Sequence, residues 1–318
     1  MPADAAALAA CFRRCYGETY PNDDFYDVPR LTQRIESGSL RSAVAVADDG
    51  TLVGHTGLTV RHPRAKAIEA GNTVVDPACR GQGLLGQLAA LLNRLCVEAG
   101  YVAYLHYPTA AHEIMQKASV RGGFETGVML DYIPAETDYR AIDRGAGRVA
   151  ATVAYQPFSP APQRSLWIAA RYLDAARQLY AAASLDRTLR VADDSATAQA
   201  TRVIGSFNKR RGLHHVHVAA IGTDFVDAIA AASNAAAAVS HIDLCLDDPG
   251  IGVAVAALRA QGYFFCALLP EFAHTDVLRM QRLTSHAVSS FAPKLANRSA
   301  MELLARMRRE YEGAAAVF

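Results

Sequence analysis

From Val74 to Gly86 the chain reads Val-Val-Asp-Pro-Ala-Cys-Arg-Gly-Gln-Gly-Leu-Leu-Gly, an arginine and three glycines set between a β-branched run and an apolar one. Thr73, Val74 and Val75 suit a strand, and Pro77, with no N–H to give a ladder, ends it. Beyond it Leu84, Leu88, Leu91, Leu92 and Leu95 recur at helical spacing, so a helix begins inside the glycine run. A helix start presents unpaired N–H groups and the positive end of a dipole. Glycines admit an anion to that backbone and Arg80 adds a full charge, so the chemistry indicated is phosphate binding.

Two phosphate loops fail on their own mechanics. Gly81 to Gly86 has P-loop spacing, but Gln87 stands where the phosphate-binding lysine is required. Gly81-x-Gly83-x-x-Gly86 matches the dinucleotide fingerprint, yet the next strand, Tyr101–His106, ends without the carboxylate that would hold a ribose.

The run Val74-Val75-Asp76-Pro77-x-x-Arg80-Gly81-Gln82-Gly83-Leu84 resembles the acyl-CoA loop of the GNAT acetyltransferase superfamily. Leu85 departs from the small residue usual there, with Gly86 one place later. The resemblance extends over about 130 residues and implies acetyl-CoA as co-substrate. The diphosphate would be gripped by Arg80 and the backbone of Gly81, Gln82, Gly83, Leu84 and Gly86. Val74 and Val75 would pair with the pantetheine arm where two strands diverge. Glu69, eleven residues before Arg80, occupies the family's usual general-base position. The tyrosine that usually protonates the leaving thiolate is replaced by Ser119. Tyr107 or His112 could substitute, with Tyr132 more remote, and Thr109 stands where many members carry an asparagine.

These residues need a scaffold. Helices are expected at 3–16, 29–36 and 110–121. Ser42–Ala47 and Leu52–Val60 form a hairpin around Asp48-Asp49-Gly50, and Lys66–Asp76 leads into the loop. Tyr101–Tyr107 and Val128–Ile133 are later strands. The family usually has a strand before the first helix; here Met1 falls almost on that helix. Carboxylates in the loop 17–27 could attract an amine, or cap the next helix. Pro134–Gly147 reads as a linker, and a strand follows at Arg148–Gln156. Beyond it come a helix at Leu166–Leu185 and strands at Thr188–Ala192, Thr201–Ser206 and His215–Ile221. His241–Leu269 reads as strand, helix, Gly-aromatic, strand, repeating the layout of Tyr101–Ile133 and ending on Tyr263–Leu269. Met301–Tyr311 is a terminal helix. The expected fold class is α/β of the α+β type, a mixed, mostly antiparallel sheet flanked by helices. A GNAT acyl-CoA domain would occupy 1–138 and a degenerate GNAT-like domain, lacking an Arg-Gly-x-Gly run, 148–318.

Composition excludes other classes. The 318 residues carry a net charge of +1, which argues for neither nucleic acid nor an anionic membrane as partner. No apolar run is long enough to span a bilayer, and the N-terminus has no basic start before an apolar core, so no secretion signal is expected. The six cysteines form no CxxC pair; reduced thiols and a cytoplasmic location are expected. His214, His215 and His217 beside Lys209, Arg210 and Arg211 raise a metal site, but no Cys, Asp or Glu close in sequence completes it, so they read as a polar turn entering a strand and no metal is expected. The activity expected is acetyl transfer to a primary amine of a small molecule or peptide, with a homodimer as a further expectation. The alternative is a non-catalytic acyl-CoA-binding sensory module.

Overall fold

The computed structural model describes residues 1–139, 147–193, 198–284 and 292–315. Its centre is one eleven-stranded sheet. The first half supplies α1 (Ala5–Tyr16), α2 (Val28–Glu36), β1 (Leu40–Val46), β2 (Leu52–Thr59), β3 (Ala67–Val75), α3 (Leu84–Glu98), β4 (Ala103–His106), α4 (Glu113–Ser119), β5 (Phe124–Ile133) and β6 (Val149–Pro157). The second half supplies β7 (Arg164–Ile168), α5 (Leu173–Ala182), β8 (Arg187–Val191), β9 (Arg202–Asn208), β10 (Leu213–Ala220), α6 (Phe225–Ala232), β11 (Val239–Cys245), α7 (Ile251–Ala260), β12 (Phe264–Leu269), β13 (Val277–Leu283) and α8 (Arg298–Ala315). The sheet is mixed and mostly antiparallel with helices packed on it, which is the fold class expected.

The strand order is β1-β2-β3-β4-β6-β5, then β12-β13-β11-β10-β9. In the first block β3 and β4 are parallel, and β6 inserts between β4 and β5. In the second, β10 and β11 are parallel, and β13 inserts between β11 and β12. The two blocks meet at β5 and β12, where Gly127 faces Ala267. A Cβ on Gly127 would lie 2.2 Å from the Cys266 carbonyl oxygen, so only glycine allows this approach.

Three expectations change. The strand at 149–157 was expected in the second domain, but it completes the first block, so the boundary drawn at 138 to 148 does not divide the sheet. Residues 140–146 of the expected linker lie outside the described residues. Leu166–Ile168 is the end of a short strand paired with β8 rather than the start of a helix, which begins at Leu173. β13 was missed because Arg279 and Gln281 interrupt its apolar pattern; both are buried, paired with groups from distant parts of the chain. Among the described residues no helix is long and apolar enough to cross a membrane.

Candidate active site

The site follows from where β3 and β4 stop pairing. They are hydrogen-bonded from Ala67/Ala103 to Ala70/His106 and no further. On its other edge β3 carries a bulge, with Asn72 and Thr73 opposing Thr56, and Asn72 has φ +53°. A bulge bends the strand and leaves backbone groups outside the ladder. Past Ala70 and His106 the strands part around a cleft of about 550 Å³. Gly71–Val75 line one wall and Tyr107–Thr109 the other. The divergence expected from the sequence is therefore present, with Val74 and Val75 lining it.

The cradle lies at one end. Arg80, Gly81, Gly83 and Leu84 line the cleft. Gly81 and Gly83 take φ of +81° and +76°, and Gly83 caps α3. An L side chain disfavours such φ, so these two glycines are what let the loop turn its backbone toward the cleft. The amides of Gly81, Gln82 and Gly83 have no protein acceptor among the described residues. Gly86 differs: its amide donates to the Gly83 carbonyl at 3.0 Å, and neither it nor Gln82 lines the cleft. Arg80 Nε donates to the Val75 carbonyl at 3.3 Å, and Asp76 accepts from Ala78 N at 3.1 Å and pairs with Arg14, which anchors the turn.

At the other end Glu69, Tyr107 and Tyr132 line the cleft. Glu69 is gripped by Arg61 through two hydrogen bonds of 2.6 and 2.9 Å. Burial pushes its carboxyl up, but Arg61, its hydrogen bonds and the charges of Arg211 and Arg279 together hold it below the usual carboxylate range. The Tyr107 hydroxyl is buried with no partner among the described residues. Burial, opposed by Arg279 and reinforced by Glu69, raises its pKa, so it keeps its proton. His112 caps α4 nearer the cradle, its Nδ1 likewise buried and unpartnered. Burial and the Arg80 charge lower its pKa, which leaves it neutral near pH 7. Ser119 also lines the cleft, its hydroxyl donating to the Met115 carbonyl at 2.8 Å.

Sequence reasoning missed part of the lining. Tyr16 and Tyr20 from α1 and the following loop line the cleft, as does Tyr139, whose hydroxyl donates to Thr109 Oγ1 at 3.0 Å. The acidic loop 17–27 holds no free carboxylates aimed at an amine: Asp23 pairs with Arg210, Asp24 with Arg34, and Asp27 caps α2. Arg211, from the turn before β10, also enters the cleft. Its guanidinium lies 4.8 Å from the Tyr132 ring centre, and its Nε donates to the Pro21 carbonyl at 3.3 Å. Its signal in the sequence was the basic run 209–211, whose destination no local pattern reveals.

Residues 5–118 match the family model described as Acetyltransferase (GNAT) family. No curated protein matches the chain. Among solved structures, a GCN5-related N-acetyltransferase from Kribbella flavida is 24% identical over 49% of this chain and 93% of its own, with a TM-score of 0.36. A GNAT superfamily phosphinothricin acetyltransferase from Sinorhizobium meliloti in complex with AcCoA is 15% identical over 50% of this chain and 85% of its own, TM-score 0.41. A putative acetyltransferase from Salmonella typhimurium with its cofactor acetyl-CoA is 17% identical over 51% and 94%, TM-score 0.39.

Proposed function

We propose that the protein transfers an acetyl group from acetyl-CoA to a primary amine of a small molecule or peptide by direct attack. The observation that carries this reading is the continuity of the cleft. It runs from an arginine-flanked cradle of open amides, between the parted strands, to a half-buried cluster of Glu69, Tyr107 and Tyr132. A thioester ligand laid along it would put phosphate at the cradle and acyl carbon at the cluster.

In that arrangement the amine nitrogen attacks the thioester carbonyl carbon and the C–S bond breaks. The ammonium proton leaves toward Glu69, directly or through water, and the departing thiolate takes a proton. Glu69 is a weak base because Arg61 stabilises its charge, so it acts by orienting the ammonium or a water that carries the proton to solvent. Tyr107 is better suited than His112 to protonate the thiolate, since it retains its proton and its hydroxyl has no other partner. Arg211 adds positive charge at the acceptor end, which favours amines that also carry a carboxylate. The second half then acts as a degenerate GNAT-like unit that completes the acceptor end. The free thiols suit a reducing cytoplasm.

The test is thiol release from acetyl-CoA with a panel of amines, beside calorimetric titration with CoA. Amine-dependent release supports the transferase. CoA binding without turnover on any amine would favour a sensory module, and absence of CoA binding would overturn both.

A further inference from the structure

The histidine-rich start of β10 acquires partners that its own neighbourhood in sequence lacks. β10 runs parallel to β11 with His217 opposite Asp243, so Cys245, two residues on, faces the same side of the sheet. His217 Nε2 lies 3.8 Å from the Cys245 sulfur. That sulfur, a carboxylate oxygen of Asp247 and a ring nitrogen of His274 all lie within 4.8 Å of one another. His274 comes from the turn between β12 and β13; its Nε2 is 2.7 Å from Asp247, and its Nδ1 is buried with no partner among the described residues. A third imidazole, His62, stands beside them from the turn between β2 and β3, its ring centre 5.7 Å from that of His217 and 5.9 Å from that of His274.

We infer that Cys245, Asp247 and His274, with His217 beside the sulfur as the fourth donor, form a binding site for a divalent transition metal of the zinc type, and His62 lies next to the two imidazoles. The donor set is a thiol, imidazoles and a carboxylate, the combination that zinc takes in four-coordinate sites. Zinc–sulfur and zinc–nitrogen bonds of about 2.3 and 2.0 Å at a tetrahedral angle separate the two ligand atoms by about 3.5 Å, near the 3.8 Å between His217 and Cys245. Charge agrees as well: Asp247 and Asp248 place negative charge near the Cys245 sulfur, with Arg64 acting in the opposite sense. The ligands come from β10, β11, the turn after it and the turn before β13, and His62 of the first half packs against two of their imidazoles, so a bound ion would fix the surface on which the turn between β2 and β3 rests. Arg61, next to His62, grips Glu69, so the ion would also brace the turn that supports the acceptor end.

This site stands apart from the acetyl-CoA cleft, and its test reads the metal rather than turnover. Full-length, tag-free protein is treated with chelator, desalted, and titrated with zinc or with cobalt(II), the latter reporting thiolate ligation through a sulfur-to-cobalt charge-transfer band. The expected result is one ion retained per chain after desalting, with that band and the intense visible absorption of four-coordinate cobalt. Cys245→Ser should abolish the band, and His274→Ala and His217→Ala should each weaken binding by about a hundredfold or more. Failure of the wild-type protein to retain a stoichiometric ion overturns the site. So does stoichiometric binding without the thiolate band, or a band that persists in Cys245→Ser. Because the wild-type titration already decides between these, a variant that failed to fold would not shield the inference.

Discussion

The two blocks of the sheet share a strand order but differ where β3/β4 and β10/β11 run parallel. In the first block the parallel pairing ends after Ala70/His106 and a cleft opens. In the second it continues from Leu213/Val239 to Val218/Leu244, and the strands stay together. The turns that follow differ in the same sense. The turn before α3 keeps the amides of Gly81, Gln82 and Gly83 open. The corresponding turn before α6 is Ile221–Asp224. There Ile221 N donates to Asp248 at 2.8 Å and Gly222 N to the Thr201 hydroxyl at 2.9 Å. A phosphate site needs donors that the protein itself has not used. One topology therefore yields an open half and a closed half, and the difference lies in which backbone groups remain unsatisfied.

The sharpest way to break this comparison is to place charge on the open turn. Gly83→Asp sets an anion against the cradle and should remove CoA binding altogether, with one site per chain in the wild type by calorimetry. Arg80→Glu, which does not touch the glycine backbone, should act in the same direction. A second site, or residual binding in a folded Gly83→Asp protein, would show that the closed half also binds.

Next in size is Glu69→Gln, expected to lower kcat/KM near neutral pH by about 10²-fold, the low end of the range for a positioned base because Arg61 weakens this one, while leaving CoA affinity unchanged. The deficit should shrink at high pH, where the amine is already neutral. Because Glu69 is held below the usual carboxylate range, the wild-type enzyme should keep its ionised form well into the acid, and the acid limb should follow the amine. A profile identical to wild type would remove Glu69 from the mechanism.

The closed half invites a stability test. Arg279 donates two hydrogen bonds of 2.7 Å to Asp243, which also accepts one from His215, all three meeting beneath the acceptor end. Removing one member of a buried pair costs about 3–5 kcal/mol, so Arg279→Met should lower Tm sharply. Burial raises the Asp243 carboxyl, but the charge and hydrogen bonds of Arg279 and His215 carry it far below the ordinary range. With its pKa depressed in the folded state, Asp243 contributes fully above its unfolded value, about 3.9, and that contribution is lost as pH falls below it. Acid unfolding monitored by circular dichroism should show this dependence in wild type and not in Arg279→Met.

Smaller effects should follow at the acceptor end. Tyr107→Phe should slow turnover by about tenfold to a hundredfold if its hydroxyl protonates the thiolate, with His112→Ala affecting the rate less. Arg211→Ala should raise KM by about tenfold for amines bearing a carboxylate, the scale of one charged hydrogen bond, and leave neutral amines alone. Equal changes for both classes would mean that Arg211 supports the fold of the cleft rather than selecting the acceptor.

The strand–glycine loop–helix unit was legible in the chain before any folding, because the proline stop, the arginine, the glycines and the leucine period are all local. The sequence also exposed most of the first block, from the hairpin around Asp48-Asp49-Gly50 to β5, and the repeat of strand, helix and strand in the second half. It did not reveal that β6 belongs to the first block, since a strand's neighbours are set by hydrogen bonds to residues far away in the chain. Nor did it reveal β13, whose Arg279 and Gln281 look like surface residues until Asp243 and the backbone of β5 are placed against them. Arg211 reads as one charge in a basic turn, and only the joining of the two blocks carries it to the acceptor end. His217 gains Cys245, Asp247 and His274 in the same way. Local pattern encodes which backbone is strand, turn or helix; tertiary structure alone decides which polar side chains meet, because burial brings together donors and acceptors that sequence distance keeps apart.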